Sequence, residues 1–82
     1  MNHEEAYGII REALKKTLGG KSVTFSDTTD LVEENILDSL DGMVFLLALE
    51  ELSGREIPEE GDLVEAGFFK VEGLVKFLTA NP

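Results

Sequence analysis

Tyr7, Ile10, Leu14 and Leu18 recur at three- and four-residue intervals, and that rhythm predicts an amphipathic helix over residues 3–18. Asn2 is placed to cap its start, and Gly19-Gly20 ends it. Lys15, Lys16 and Lys21 gather at its carboxyl end, where cations complement the helix dipole, so they read as end-capping rather than as a binding patch. A second run, ILDSLDGMVFLLALEEL at 36–52, predicts a helix over residues 39–53 with Gly54 as its stop. Val71, Leu74, Val75 and Leu78 form the stripe of a last helix over 71–79, and a short helix over 60–65 is expected after Ile57-Pro58. There are no internal repeats, low-complexity tracts or convincing strand pairs. The expected architecture is all-α: a small four-helix bundle, three main helices plus one short one, in a single domain spanning 1–82.

The stretch KSVTFSDTTDLVEENILD, residues 21–38, is long for a connection inside a compact domain and has to be anchored. Val23, Phe25, Leu31, Val32, Ile36 and Leu37 are the side chains able to fasten it to the helical core. Asp27 to Asp30 suit turns, Leu31 to Glu34 suit a single helical turn, and Asn35 suits a left-handed backbone position just ahead of Ser39.

The second helix is apolar on two sides. Phe45, Leu46, Leu49 and Leu52 share one side with the small Gly42 and read as core, while Leu40, Met43, Val44 and Leu47 follow the i, i+3, i+4, i+7 pattern on the other, with Glu50 and Glu51 at the far end. A domain this small can hardly bury both. The second stripe is either covered by the long connection or exposed as a docking surface rimmed by acids, and Met43, with its adaptable thioether, favours docking.

Charge narrows the partners. Seven Lys plus Arg stand against seventeen Asp plus Glu, a formal net charge of -10, which repels nucleic-acid backbones and anionic membrane surfaces and favours proteins with basic docking faces. The absence of cysteine excludes disulfides, thiolate metal sites and a thiol nucleophile of the chain's own. The acids of DTTDLVEENILD lack the alternating ligands and central glycine of an EF-hand loop, so no metal site is expected. MNHEEAYGII does not read as a signal peptide and no segment has the length of a membrane span, so a cytoplasmic monomer is expected. A chain of 82 residues has about 4 to 12 kcal/mol of stability, too little to maintain a large strained interior site.

Ser39 stands between Asp38 and Leu40 at the mouth of the second helix. Asp38 and Ser39 are both good N-cap residues, so one use of the hydroxyl is capping, worth about 1 kcal/mol. Nucleophilic catalysis has little support, because His3 is remote in sequence and reads as a solvated side chain, and the G-x-S-x-G pattern of a hydrolase elbow is absent. An enzyme is not expected.

Asp38-Ser39-Leu40 opening an apolar helix that ends in ALEEL, after a helix and an anchored loop and before Glu56-Ile57-Pro58 and a final helix, resembles the acyl carrier protein family over nearly the whole chain. The resemblance implies a right-handed four-helix bundle in which Ser39 carries covalent 4′-phosphopantetheine, attached from coenzyme A by a phosphopantetheinyl transferase. Asp38 would position that enzyme's magnesium and coenzyme. The arm's thiol would hold a fatty, polyketide or aminoacyl group as a thioester for acyl-loading and acyl-transferring enzymes, which would dock on Leu40, Met43, Val44, Leu47, Glu50, Glu51 and Glu56. A sheltered cargo would be lined by Phe45, Leu49, Ile57, Leu63, Val64, Phe68 and Leu74.

Three departures from the family pattern bear on the pathway. The glycine common shortly before the serine is replaced by Asn35, Ile36 and Leu37, with Asn35 able to take its backbone role. Val44 stands where fatty-acid carriers usually have a further acid. The DLVEAGFFKV run at 62–71 resembles stand-alone carriers of specialised lipid, polyketide or related pathways, with Phe68 and Phe69 able to close the end of the bundle. The competing expectation is an unmodified acidic helical adaptor that binds its partner through the Leu40 to Leu47 stripe, with Ser39 merely capping.

Overall fold

The computed structural model describes residues 2–56 and 69–79, and for Ser39 the backbone alone. Within them the chain forms three helices, α1 (His3–Thr17), α2 (Ser39–Ser53) and α3 (Val71–Thr79), and no strand. The short helix expected over 60–65 lies outside the described residues. α1 is the central element and packs against both α2 and α3.

Each helix end has a local cause. Asn2 accepts a hydrogen bond from the Glu5 N–H (2.8 Å) while the Glu5 carboxylate accepts one from Asn2 N–H (3.3 Å), a reciprocal capping box that satisfies two otherwise unpaired donors. At the other end Gly19 turns left-handed (φ 67°) and Gly20 N–H donates to Lys15 O (2.7 Å), so the glycine pair closes α1 as its sequence predicts. α2 stops at Gly54, also left-handed (φ 71°), whose N–H donates to Glu50 O.

The core is a single cluster. Ala6, Ile10, Ala13 and Leu14 of α1 meet Phe45, Leu46, Ala48 and Leu49 of α2 and Val71, Leu74, Val75 and Leu78 of α3. Leu52, expected as core, and Tyr7 and Leu18 of the α1 stripe pack at its edge. Full burial of a side chain such as Phe45 or Leu49 contributes about 1.5–3 kcal/mol, and these contacts rather than intrinsic propensity hold helices of this length.

The long connection is laced down. Leu31 and Leu37 are buried, with Val23, Phe25, Val32 and Ile36 half-buried against the same cluster. Asp30 Oδ1 accepts from Val32 N–H and Glu33 N–H (both 3.0 Å), capping the turn Leu31 to Glu34. That turn ends when Ile36 N–H donates to Leu31 O and Asn35 N–H to Val32 O, with Asn35 left-handed at φ 58°, so the backbone role expected of Asn35 is met. An antiparallel bridge between Asp30 and Lys70 then ties the connection to the start of α3: Leu31 N–H donates to Phe69 O (2.7 Å) and Val71 N–H to Thr29 O (2.9 Å).

Candidate functional site

Chain geometry around Ser39 begins with Leu37. Its side chain is buried and its N–H donates to Leu31 O (2.8 Å), so the backbone is fixed one residue before the helix cap. Asp38 follows in extended conformation (φ -90°, ψ -176°), and its Oδ1 accepts the Asp41 N–H at 2.7 Å. Gly42 N–H donates to Asp38 O (2.8 Å), the first bond of the helix. Asp38 is therefore the N-cap, and Ser39 is the first helical residue. Of the two capping residues the sequence offers, Asp38 is the one that occupies the N-cap position. The residues on either side, Asp38 and Leu40, are exposed.

The two sides of α2 are resolved as well. Gly42, Phe45, Leu46, Ala48 and Leu49 face inward and are buried. The other stripe is open to solvent: Leu40 is 70% exposed, Met43 65%, Val44 46% and Leu47 65%, so the long connection does not cover it. Acids rim it, with Glu51 and Glu56 exposed and Asp41 and Glu50 half-buried. Beyond Leu47 the stripe runs into an open depression lined by Leu47, Glu50, Glu51, Gly54, Arg55 and Glu56. All the residues expected on the partner-facing side thus lie along one helix and its exit.

The expected cargo lining is placed only in part. Phe45, Leu49 and Leu74 are wholly buried and packed into the core cluster, whereas Ile57, Leu63, Val64 and Phe68 lie outside the described residues. Phe69 is buried, and its ring lies directly against Gly42.

A second polar cluster was not foreseen. Tyr7 Oη donates to Asp27 Oδ1 (2.6 Å), His3 Nε2 donates to the same oxygen (3.1 Å), the His3 and Tyr7 rings stack at 4.5 Å, and Tyr7 meets Phe25 at 5.0 Å. His3 is exposed but not simply solvated: it is engaged with the connection. The hydrogen bond to Asp27, with desolvation and the carboxylate charge adding to it, pushes the Tyr7 phenol up to about 12. The same bond, helped by His3, lowers the Asp27 carboxyl. The signal available in sequence was the i, i+4 spacing of His3 and Tyr7; what it lacked was the fold of the connection that brings Asp27 beside them.

No protein-family model matches the chain, and neither a curated protein nor a solved structure matches it. Among the described residues no helix is long and apolar enough to cross a membrane.

Proposed function

We propose that the protein is an acyl carrier whose three described helices belong to an acyl-carrier-type four-helix bundle, with 4′-phosphopantetheine attached to Ser39 by a phosphopantetheinyl transferase. The observation that carries this reading is a juxtaposition on one helix. Ser39 occupies the first helical position, Asp38 already supplies the cap (2.7 Å to Asp41 N–H), and an exposed apolar stripe with an acidic rim begins at the very next residue.

The residues present fit such an arm. A bulky group tethered to the first turn of a helix needs open flanks, and here Asp38 and Leu40 are exposed and the Asp41 N–H is capped by Asp38. Once attached, the group supplies the thiol that a chain without cysteine lacks, and with it a thioester. What the chain contributes is presentation. Leu37, buried immediately ahead of the cap, fixes the attachment point to the core. Leu40, Met43, Val44 and Leu47 provide apolar contact for successive enzymes, and Glu50, Glu51 and Glu56 steer basic docking faces, more strongly at low salt than at high. Tethering raises the local concentration of the cargo while each docking event stays weak enough to be released. Val44 in place of an acid makes the contact more apolar, which favours partners of a specialised lipid, polyketide or related pathway.

The test is intact mass. Incubation with coenzyme A and a broad-specificity phosphopantetheinyl transferase adds one phosphopantetheine to the wild-type chain and none to Ser39→Ala. A wild-type mass unchanged by several competent transferases overturns the proposal in favour of an unmodified adaptor that uses the same stripe.

A further inference from the structure

Met43 stands four residues beyond Ser39 on α2, a little over one helical turn, so the two positions are neighbours on one face of the helix. Leu40 and Leu47 flank it three residues before and four after, and it is 65% exposed in the middle of the open stripe. The chain has no cysteine, and among the described residues Met43 carries the only sulfur. A thioether so placed is open both to small oxidants in solvent and to contact with any enzyme that reaches for Ser39.

We infer that Met43 is a reversible oxidation site through which hydrogen peroxide weakens the docking of enzymes that act at Ser39. This rests on the carrier reading above and adds a control to it. The thioether sulfur attacks one peroxide oxygen: the S–O bond forms as the O–O bond breaks, and the sulfur is oxidised by two electrons. The hydroxide released takes the proton left on the transferred oxygen and departs as water. The product is a sulfoxide, polar where the stripe was apolar. Covered by a partner's apolar surface, its oxygen loses water without gaining a donor, a cost the thioether does not carry. The core does not feel the change, because Met43 lies outside it and Phe45, Leu46 and Leu49 supply the inward face of the helix. A sulfoxide reductase, which takes two electrons from a pair of thiols and returns the oxygen as water, restores the apolar face.

The experiment oxidises the full-length chain with hydrogen peroxide before any arm is attached, so that the arm's own thiol takes no part. Peptide mass mapping then separates oxidation at Met43 from oxidation at Met1. With the peroxide removed, treated and untreated chains are loaded from coenzyme A by a broad-specificity phosphopantetheinyl transferase. Oxidation at Met43 is expected to lower kcat/KM for loading about fivefold or more, through KM with kcat held, as loss of a contact made equally in ground and transition states requires. Tm is expected to move by no more than about 3 °C. The two epimer-specific methionine sulfoxide reductases are expected to restore mass and kinetics together. Met43→Leu, whatever its own rate, is expected to load equally fast before and after peroxide. The inference is overturned if peroxide spares Met43 while converting a free methionine peptide, if the Met43 sulfoxide loads as fast as the thioether, or if treated Met43→Leu slows as the wild type does. An untreated wild type that takes up no phosphopantetheine refutes the carrier reading itself, and this inference falls with it.

Discussion

Tyr7 on α1 donates a 2.6 Å hydrogen bond to the carboxylate of Asp27, whose backbone carbonyl accepts the Glu72 N–H at 3.1 Å. One loop residue therefore clasps the first helix to the start of the third. The phenol's folded pKa lies above its ordinary 10.0, at about 12, so its contribution is complete below pH 10 and is lost as pH rises through 12. The Asp27 carboxyl is shifted the other way, so its contribution is present above the ordinary 3.8 and fades as pH falls below that value. Tyr7→Phe is expected to lower Tm by a margin that is constant through neutral pH, narrows between pH 10 and 12, and narrows again in acid. Thermal melts of both proteins across that range check it.

Gly42 and Gly8 both lie inside helices, yet a Cβ at Gly42 meets the Phe69 ring at 3.0 Å while one at Gly8 meets nothing within 4 Å. Gly8→Ala is expected to stabilise the protein by about 1 kcal/mol, the ordinary helix-propensity gain. For Gly42→Ala the same gain is outweighed by overpacking of about 1–3 kcal/mol, because the Phe69 backbone is held by the bond from Leu31 N–H to its carbonyl, with Val71 bonded to Thr29 two residues on. Denaturant unfolding should show the two substitutions with opposite signs, and Phe69→Leu should relieve the second.

Asp38→Ala removes the carboxylate that receives the Asp41 N–H and is expected to cost about 1 kcal/mol. Ser39→Ala keeps that bond and should change stability by no more than about 0.5 kcal/mol. Equal losses from the two would mean that the serine shares the cap.

Leu47 and Leu49 sit two residues apart on the same helix, one 65% exposed and the other wholly buried. Leu49→Ala is expected to cost about 2–5 kcal/mol, whereas Leu47→Ala and Met43→Glu should lie within about 0.5 kcal/mol of wild type. Turnover by a partner enzyme should rank the other way, with Met43→Glu or Val44→Glu impaired in a folded protein. Urea melts alongside partner kinetics separate the two classes.

Much of this was legible in the chain. All three described helices start and end within a residue of where periodicity and caps put them, because Asn2, Gly19, Gly54 and the apolar stripes act locally. Asn35 was legible for the same reason: its left-handed turn is a property of residue type. The two faces of α2 could be separated by angle, with Phe45, Leu46, Leu49 and Leu52 read as core; whether the connection covers the other stripe was not legible, and the exposure of Leu40, Met43, Val44 and Leu47 answers it. What escaped was every relation across long stretches of chain. The Asp27 clasp, the Asp30–Lys70 bridge and the seating of Phe69 depend on the path of the connection, and that path is set by Leu31 and Leu37 packing in three dimensions rather than by any local rhythm.

The bridge between Asp30 and Lys70 has a kinetic corollary. A helical domain held only by neighbouring hairpins can assemble from nearby contacts and do so quickly, but here the last helix is registered against a segment that precedes the whole of α2. Closing that span loses chain entropy before any return is gained. Docking of α3 is thus expected in the late, topology-limited part of folding, even though each of the three described helices is short and locally encoded.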